Sequence, residues 1–462
     1  MDRPALRSLA AAVATAALAG GCALAPPPDA AQVRGQALPN TQLPPQWTGA
    51  PTPPGPVADG WLPQFQDPQL EKLVADAVAY NSDLQLAAAR VEAAEASARA
   101  AGAALYPQLN FAGHGGGKMG GDGSGVSGLG LFASWELDLW GKLRAQRAAA
   151  TAQYESAALD AASARESIAA LVAKSWFMAR EAAVQRAIAG DMINSAQMLV
   201  DLSRDRARVG RSDELEVTQA EASALSYRDV QIQAEIARQN ALRSIEALAG
   251  RYPSGTVEPG VVLPQLPGPV PAGLPSELLE RRPDVRAAER RVAAAFYRTE
   301  QARAARLPTI SLTASVSSIT SDIFVMQERD NPVWGVGATL LAPLFNAGAL
   351  QAQVDVRSAE QKAAIADYGR IGSRAFGEVE GALSQSFSLD NRVEVLERAV
   401  RANESALGHA RTRYDVGSGD LRGVQQQLLA LHASRATLAR VQGERLIQRV
   451  NLHLALGGGF EP

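Results

Sequence analysis

The stretch TISLTASV, residues 309–316, alternates polar and apolar side chains at every position. Successive side chains of a β-strand point to opposite faces of a sheet, so this period of two predicts a strand with one apolar and one polar face. The stretch LGLFASWELDL, residues 129–139, has a similar alternation. The sequence therefore predicts at least two amphipathic strands.

Two further segments, residues 108–118 and 333–343, show a weaker form of the pattern. Strands of about ten residues have the length that crosses a bilayer when they are tilted in a barrel. A soluble sandwich with one wet face is the common alternative. Polar loops between the strands, and Trp135 and Trp334 at positions suited to a membrane interface, favour the barrel.

Four strands are too few to close a barrel. Unpaired backbone groups at a sheet edge in lipid cost several kcal/mol each, so other copies of the chain must complete the sheet. Three copies supply about twelve strands, which lies within the range of membrane barrels. The polar strand face would then line the lumen, and its candidate lining residues are Ser134, Glu136, Asp138, Thr313 and Ser315.

The sequence is internally duplicated. A shift of 201 residues places Asp83 on Asp284, and a shift of 207 places Gly210 on Gly417. The same order of elements therefore occurs twice. The two predicted repeats are residues 61–265 and residues 266–462.

Each repeat continues from its strands into long helical segments. At about 1.5 Å per residue, the longest would run on the order of 95 Å, about three times the hydrocarbon thickness, so they are not membrane helices. We expect them to form helical hairpins that extend into the periplasm. The predicted helices cover residues 142–208, 212–249, 347–414 and 419–456.

The first residues resemble an export signal. Arg3 and Arg7 precede a short apolar run that ends in LAGGC, residues 18–22, and this run is too short to span a bilayer as a helix. The ending resembles a bacterial lipobox, in which Cys22 is acylated and becomes the mature N-terminus. A plain signal peptide with a chance cysteine is the alternative. We expect a signal peptide over residues 1–21 and, because Pro, Ala and Gln are abundant, a lipidated extended tether over residues 22–60.

Composition argues against several functions. The net charge of -3 leaves no basic field for nucleic acid. The single cysteine and the spacing of the four histidines do not fit a metal site. Glu136 and Asp138 stand at i and i+2 of a strand, on one face, where polar lining residues belong, and we do not interpret them as a catalytic pair. We expect no enzyme activity, no cofactor and no metal.

Several strings carry a family resemblance. They are SWELDLWG at residues 134–141, GLPSELLERRPD at 273–284, APLF at 342–345 and ALGGG at 455–459. With them the chain resembles the TolC-like outer membrane factors, in particular the NodT branch of efflux outer-membrane lipoproteins. The resemblance implies a mainly α fold with a transmembrane β part: a trimeric twelve-stranded β-barrel, four strands per chain, on a periplasmic α-helical barrel.

The same resemblance implies a function and partners. It predicts a passive exit duct for small molecules in the outer membrane of a Gram-negative bacterium. A homotrimer would be coupled through a periplasmic adaptor protein to an inner-membrane pump of the RND type. A type I protein-secretion channel of the same superfamily is the alternative, and a periplasmic adaptor lipoprotein is a second one. The adaptor would lack two amphipathic β-hairpins in a duplicated frame.

The resemblance also indicates where the channel closes, at the tips of the helical hairpins. The matching segments are residues 209–218 and 416–427. Relatives often have an acidic residue where this chain has Gln426. The tip candidates for the aperture or for salt bridges are Asp213, Glu214, Asp420, Arg422 and Gln426. Capping of the first helical turn is the ordinary role of an aspartate such as Asp420.

We expect the variant Cys22→Ser to lose acylation while it still assembles, because lipid attachment and barrel closure depend on different parts of the chain. Metabolic labelling with a radioactive fatty acid, followed by extraction in mild detergent, measures both properties. Equal labelling of variant and wild-type chains would contradict the lipobox interpretation, and loss of assembly in the variant would contradict a role limited to anchoring.

Overall fold

The computed structural model describes residues 25–53, 55–115, 126–211, 213–321 and 333–461. These residues form two compact units. The sheet unit contains the residues up to Asn40, together with Ala88–Leu159 and Arg286–Ile371. The helical unit contains Thr41–Ala87, Asp160–Val285 and the residues from Gly372 onward. Cys22 and the expected signal peptide lie outside the described residues, as do residues 116–118 of the first expected strand.

Helices account for most of the described chain. They are α1 (Ala30–Ala37), α2 (Pro68–Tyr80), α3 (Ser82–Ala103), α4 (Lys142–Arg208), α5 (Glu214–Leu248), α6 (Leu278–Arg281), α7 (Pro283–Ala304), α8 (Ala349–Asp415) and α9 (Leu421–Ala455). With 67 residues each, α4 and α8 run roughly 100 Å. Among the described helices, none is both long enough and apolar enough to cross a membrane.

Four strands form a single antiparallel sheet in the order β1-β2-β3-β4. They are β1 (Gln108–Gly115), β2 (Val126–Leu137), β3 (Thr309–Ser321) and β4 (Val333–Leu341). β2 lies in the first expected repeat and β3 in the second, and their pairing places Trp135 opposite Leu312. The expectation of a mostly helical chain with four strands is therefore confirmed.

The core of the helical unit is built from both repeats. Trp176 and Phe177 of α4 are fully buried, together with Leu242 of α5 and Val450 of α9. Alanines of α4 at the same level are also fully buried, and their small side chains allow helices to approach closely. The repeats therefore share one core in this unit.

A carboxylate at the end of α5 holds the loop that follows it. Glu246 is 3% exposed and accepts hydrogen bonds from the backbone N–H groups of Gly255 and Thr256, as well as from the hydroxyls of Ser254 and Thr256. Burial opposes ionisation of Glu246, but these hydrogen bonds outweigh it and lower its pKa below the ordinary value of 4.5. The ionised carboxylate therefore stabilises this loop.

We expect Glu246→Gln to destabilise the protein by about 1–3 kcal/mol at pH 7, because the amide cannot satisfy all of these donors. A group with a lowered folded pKa contributes stability above its unfolded pKa and loses it as pH falls through the folded pKa. The difference between wild type and variant should therefore shrink below pH 4.5. Thermal unfolding at pH 7 and pH 4 measures it, and an equal difference at both values would contradict the role of charge.

Candidate functional site

The sheet has one apolar and one polar face. Directly paired residues lie on the same face, and the register places Leu131 opposite both Phe111 and Val316, and Ala314 opposite Val336. The apolar face of the single chain is strongly exposed, with Val336 at 78% and Trp334 at 75%. An exposed apolar surface of this kind indicates contact with lipid or with another protein.

The polar face gathers four of the expected lining residues. Ser134 pairs with Thr313, and Ser315 pairs with Gly335. Glu136, two positions after Ser134 on β2, therefore lies on the same face. Its carboxylate forms an ion pair with Lys142 at 2.5 Å.

Asp138, the fifth expected lining residue, lies just beyond the end of β2. Its carboxylate accepts hydrogen bonds from the backbone N–H groups of Leu143 and Arg144, both at 2.9 Å, and pairs with the Arg144 guanidinium at 3.0 Å. It therefore caps the start of α4 in the manner of a helix N-cap. The alternation of residues 129–139 did not reveal this role, because it runs past the last strand residue without a break.

Two tryptophans tie the sheet to the turns that follow α3 and α7. The indole N–H of Trp135 donates to the carbonyl of Leu105 at 2.9 Å, and that of Trp140 donates to the carbonyl of Pro308 at 2.7 Å. Sequence reasoning assigned Trp135 to a membrane interface and gave no partner for Trp140. The sequence offered one signal: Pro107 and Pro308 each follow a helical segment, and a proline at that position marks the boundary between a helix and a strand.

The two helical hairpins turn in the same way at their tips. Gly210 and Gly417 have φ values of 72° and 74°, which glycine adopts without steric cost. Asp213 accepts the Glu216 N–H at 3.0 Å and so caps α5, while Asp420 accepts the Gly423 N–H at 2.9 Å and caps α9. The two expected tip aspartates are thus N-caps in equivalent positions.

Ion pairs join one hairpin to the other. Arg206 of α4 lies 3.8 Å from Asp420, and Arg422 of α9 lies 2.6 Å from Glu216 of α5. Sequence reasoning missed Arg206 and Glu216. The internal duplication offered a signal for these pairs, because it predicts that the tip segments of the two repeats lie in equivalent positions.

The remaining tip candidates are more open. Glu214 and Gln426 are exposed. Gln426 lines a cavity of about 220 Å³ together with Arg422 and Glu216. The structure therefore gathers Asp420, Arg422 and Gln426 near the join between the hairpins.

Helix α5 carries apolar residues on two opposite faces. Val217, Ala234 and Ile245 are buried within the chain, while Leu225 and Ile232 on the other side are 64% and 54% exposed. Leu215 and Ile236 continue this exposed row at spacings typical of a helix face. We call the row Leu215, Leu225, Ile232 and Ile236 the open seam of α5. Helix α8 likewise exposes Val356, Phe387 and Val395.

The outer membrane efflux protein family matches residues 73–251 and 274–458 of the chain, which is most of its length. The chain belongs to this family. Each matched range lies within one of the two expected repeats. The family consists of efflux proteins of the outer membrane and is not a catalytic family.

Curated relatives are similar over most of their length. The cation efflux system protein CusC of Escherichia coli strain CFT073 is 31% identical over 411 residues, with 87% of this chain and 88% of that protein covered. The pyoverdine export outer membrane protein OpmQ of Pseudomonas aeruginosa is 31% identical over 419 residues, with 87% of each chain covered.

Solved structures agree with these relatives. The open state of the Neisseria gonorrhoeae MtrE outer membrane channel superposes with a TM-score of 0.78 at 26% identity. The comparison covers 95% of this chain and 98% of that one. The structural comparison and the family match thus both indicate an outer membrane efflux protein.

Proposed function

We propose that the chain is one subunit of an outer-membrane channel, a passive duct through which small molecules leave a Gram-negative cell. The observation that carries the proposal is the sheet, which has one exposed apolar face, one polar face and two open edges. Family membership supports the outer-membrane location and the role in efflux. The energy would come from an inner-membrane pump of the RND type, coupled through a periplasmic adaptor.

The open edges favour a closed ring of three copies. Among the described residues, β1 and β4 each pair with one strand only, and in lipid the backbone groups of their outer edges would cost several kcal/mol each. Pairing β1 of one copy with β4 of the next removes every edge, in a head-to-tail arrangement that closes by rotation. Three copies give about twelve strands. The apolar face would then contact lipid, and Ser134, Glu136, Thr313 and Ser315 would face the lumen.

The exposed apolar residues of α5 and α8 are consistent with the same ring of three copies. A short connection follows α3 before β1, and another follows β4 before α8. A helix with apolar rows on opposite faces, such as α5, requires a neighbour on each side. A second copy supplies the missing neighbour for the open seam, and the exposed apolar residues of α8 are suitable partners. The helices would form the α-helical barrel beyond the membrane.

The tips would act as the gate. The pairs Arg206–Asp420 and Arg422–Glu216 join the two hairpins and would hold them in the closed arrangement until the adaptor binds. Asp213 and Glu214 at the first tip and Gln426 at the second would contribute to the aperture.

The N-terminal part would anchor the assembly. Residues 1–21 would be removed, Cys22 would carry the lipid, and residues 22–60 would lead to the first repeat over residues 61–265 and the second over residues 266–462. A type I protein-secretion channel remains the second candidate. Two of the most similar relatives are named for cation efflux and for pyoverdine export, which favours small cargo over protein.

We expect Ile232→Asp to lower the trimeric fraction in mild detergent, because it places a charge in the middle of the open seam. Ala237→Asp is the matched control, since Ala237 is exposed on the same helix away from the seam. Analytical ultracentrifugation with detergent matched in density measures the fraction. Equal trimer content in both variants would contradict the assignment of the seam to a subunit interface.

We expect Arg422→Ala to raise the mean conductance of the channel in planar bilayers, because it removes the ion pair with Glu216 that links the two hairpins. A partly exposed ion pair contributes up to about 1 kcal/mol, so the open fraction should rise by up to about fivefold for each pair removed. Arg204→Ala is the matched control, since Arg204 pairs with Glu221 within one hairpin, at 2.5 Å. An unchanged conductance in Arg422→Ala, or an equal rise in Arg204→Ala, would contradict the gate.

A further inference from the structure

The segment Gly457–Glu461, which follows α9, lies against a part of the chain that precedes α2. The Gly60 N–H donates to the Gly459 carbonyl at 2.8 Å, and the Gly459 N–H donates to the Asp59 carboxylate at 2.7 Å. The Phe460 side chain is 4% exposed and belongs to the core that also contains Trp61. The segment is thus held by backbone pairing on one side and by one buried ring.

On its other side the segment contacts two consecutive residues of α4. The Phe460 N–H donates to the Glu166 carboxyl at 3.2 Å. Arg165 forms an ion pair with Glu461 at 2.5 Å, and its guanidinium lies 5.6 Å from the centre of the Phe460 ring. Glu166 therefore bonds directly to the backbone of the buried Phe460.

The charged groups around Glu166 come from several elements. Arg165 is its neighbour on α4, Asp59 lies before α2, and Glu461 belongs to the segment itself. Glu166 also lines a cavity of about 560 Å³, and an ion-paired cluster lines the same cavity. The cluster consists of Arg282, Asp284, Arg374 and Glu378.

These surroundings make ionisation of Glu166 unfavourable. Burial raises the pKa of Glu166 to about 7, the carboxylates of Asp59 and Glu461 add to the rise, and the Phe460 N–H and Arg165 oppose it. His453 of α9 stacks on Trp61 nearby, but burial lowers its pKa to about 3, so it remains neutral above that value. Glu166 therefore changes charge near neutral pH.

We propose that Gly457–Glu461 is a proton-dependent latch, which docks on α4 while Glu166 is protonated and loosens when Glu166 releases its proton to water in the adjoining cavity. Ionised Glu166 would be a third carboxylate beside Asp59 and Glu461, with half of its surface withdrawn from solvent. Release of the segment admits water and removes this repulsion. The latch would fix the end of α9 and the residues before α2 to α4, and it stands independently of the channel proposal.

The direction of the pH dependence follows from linkage. The pKa of Glu166 is raised in the docked state, so the docked state is favoured while Glu166 is protonated. Docking therefore weakens as pH rises from 4.5, the ordinary pKa of a glutamate, through about 7, its pKa in the docked state. Each pKa unit corresponds to a factor of ten in the docking equilibrium. Because Glu166 is only half-buried, we expect a loss of about tenfold between pH 5.5 and pH 8.5.

Hydrogen exchange of the full-length protein in detergent tests the latch. Protection of peptides covering residues 455–461, corrected for the intrinsic exchange rate, should fall about tenfold in the wild type over this pH range. Glu166→Gln carries a neutral group that still accepts the Phe460 N–H, and its protection should be independent of pH. Glu181→Gln is the matched control, since Glu181 is another partly buried acid of α4 whose pKa burial raises. This control should behave like the wild type.

Three results would overturn the latch. The first is a wild-type protection that does not change with pH. The second is a Glu166→Gln variant that keeps the wild-type pH dependence. The third is a Glu166→Gln variant that loses protection at every pH while Glu181→Gln does not, because the side chain would then be a fixed hydrogen-bonding residue. The readout does not depend on conductance, so a failure here is distinguishable from a failure of the channel proposal.

Discussion

Backbone hydrogen bonding at the edge strands β1 and β4 constrains the rest of the molecule. Their free N–H and C=O groups can be solvated by water or paired with another strand, and a sheet whose apolar face contacts lipid has only the second choice. In the part of the chain that the structure describes, the four strands leave the outer edges of β1 and β4 without a partner strand. In the proposed assembly the polar strand face would acquire a lumen when further copies complete the sheet, so the channel would be a property of the assembly.

The duplicated sequence fits this requirement. Each repeat supplies two strands and a pair of long helices, and β2 pairs with β3 to join the repeats in one sheet. At the other end of the long helices, equivalent glycine turns and aspartate caps produce two similar tips. The ion pairs between them are not equivalent, because Arg206 comes from α4 whereas Arg422 comes from α9. The two halves of the chain thus have the same order of elements, but the ion pairs that join their hairpins use residues at different positions in each half.

Much of this architecture followed from local patterns. The period-two alternation of residues 309–316 predicted β3, and the long helical segments of the sequence predicted α4 and α8. The pairing of β2 with β3 could not be read locally, because it depends on residues far apart in sequence. The same holds for the partners of Arg422 and Glu166, which the fold supplies. Asp138 shows a different limit, since alternation alone does not mark where a strand ends and a cap begins.

The oligomeric mass of the full-length protein, extracted from outer membranes in mild detergent and measured with the detergent subtracted, tests the central claim most directly. Closure of the sheet by neighbouring copies predicts a single species with the mass of three mature chains. A monodisperse monomer that stays in solution without detergent would contradict it, because both sheet edges and the apolar face would then be exposed to water in a stable protein.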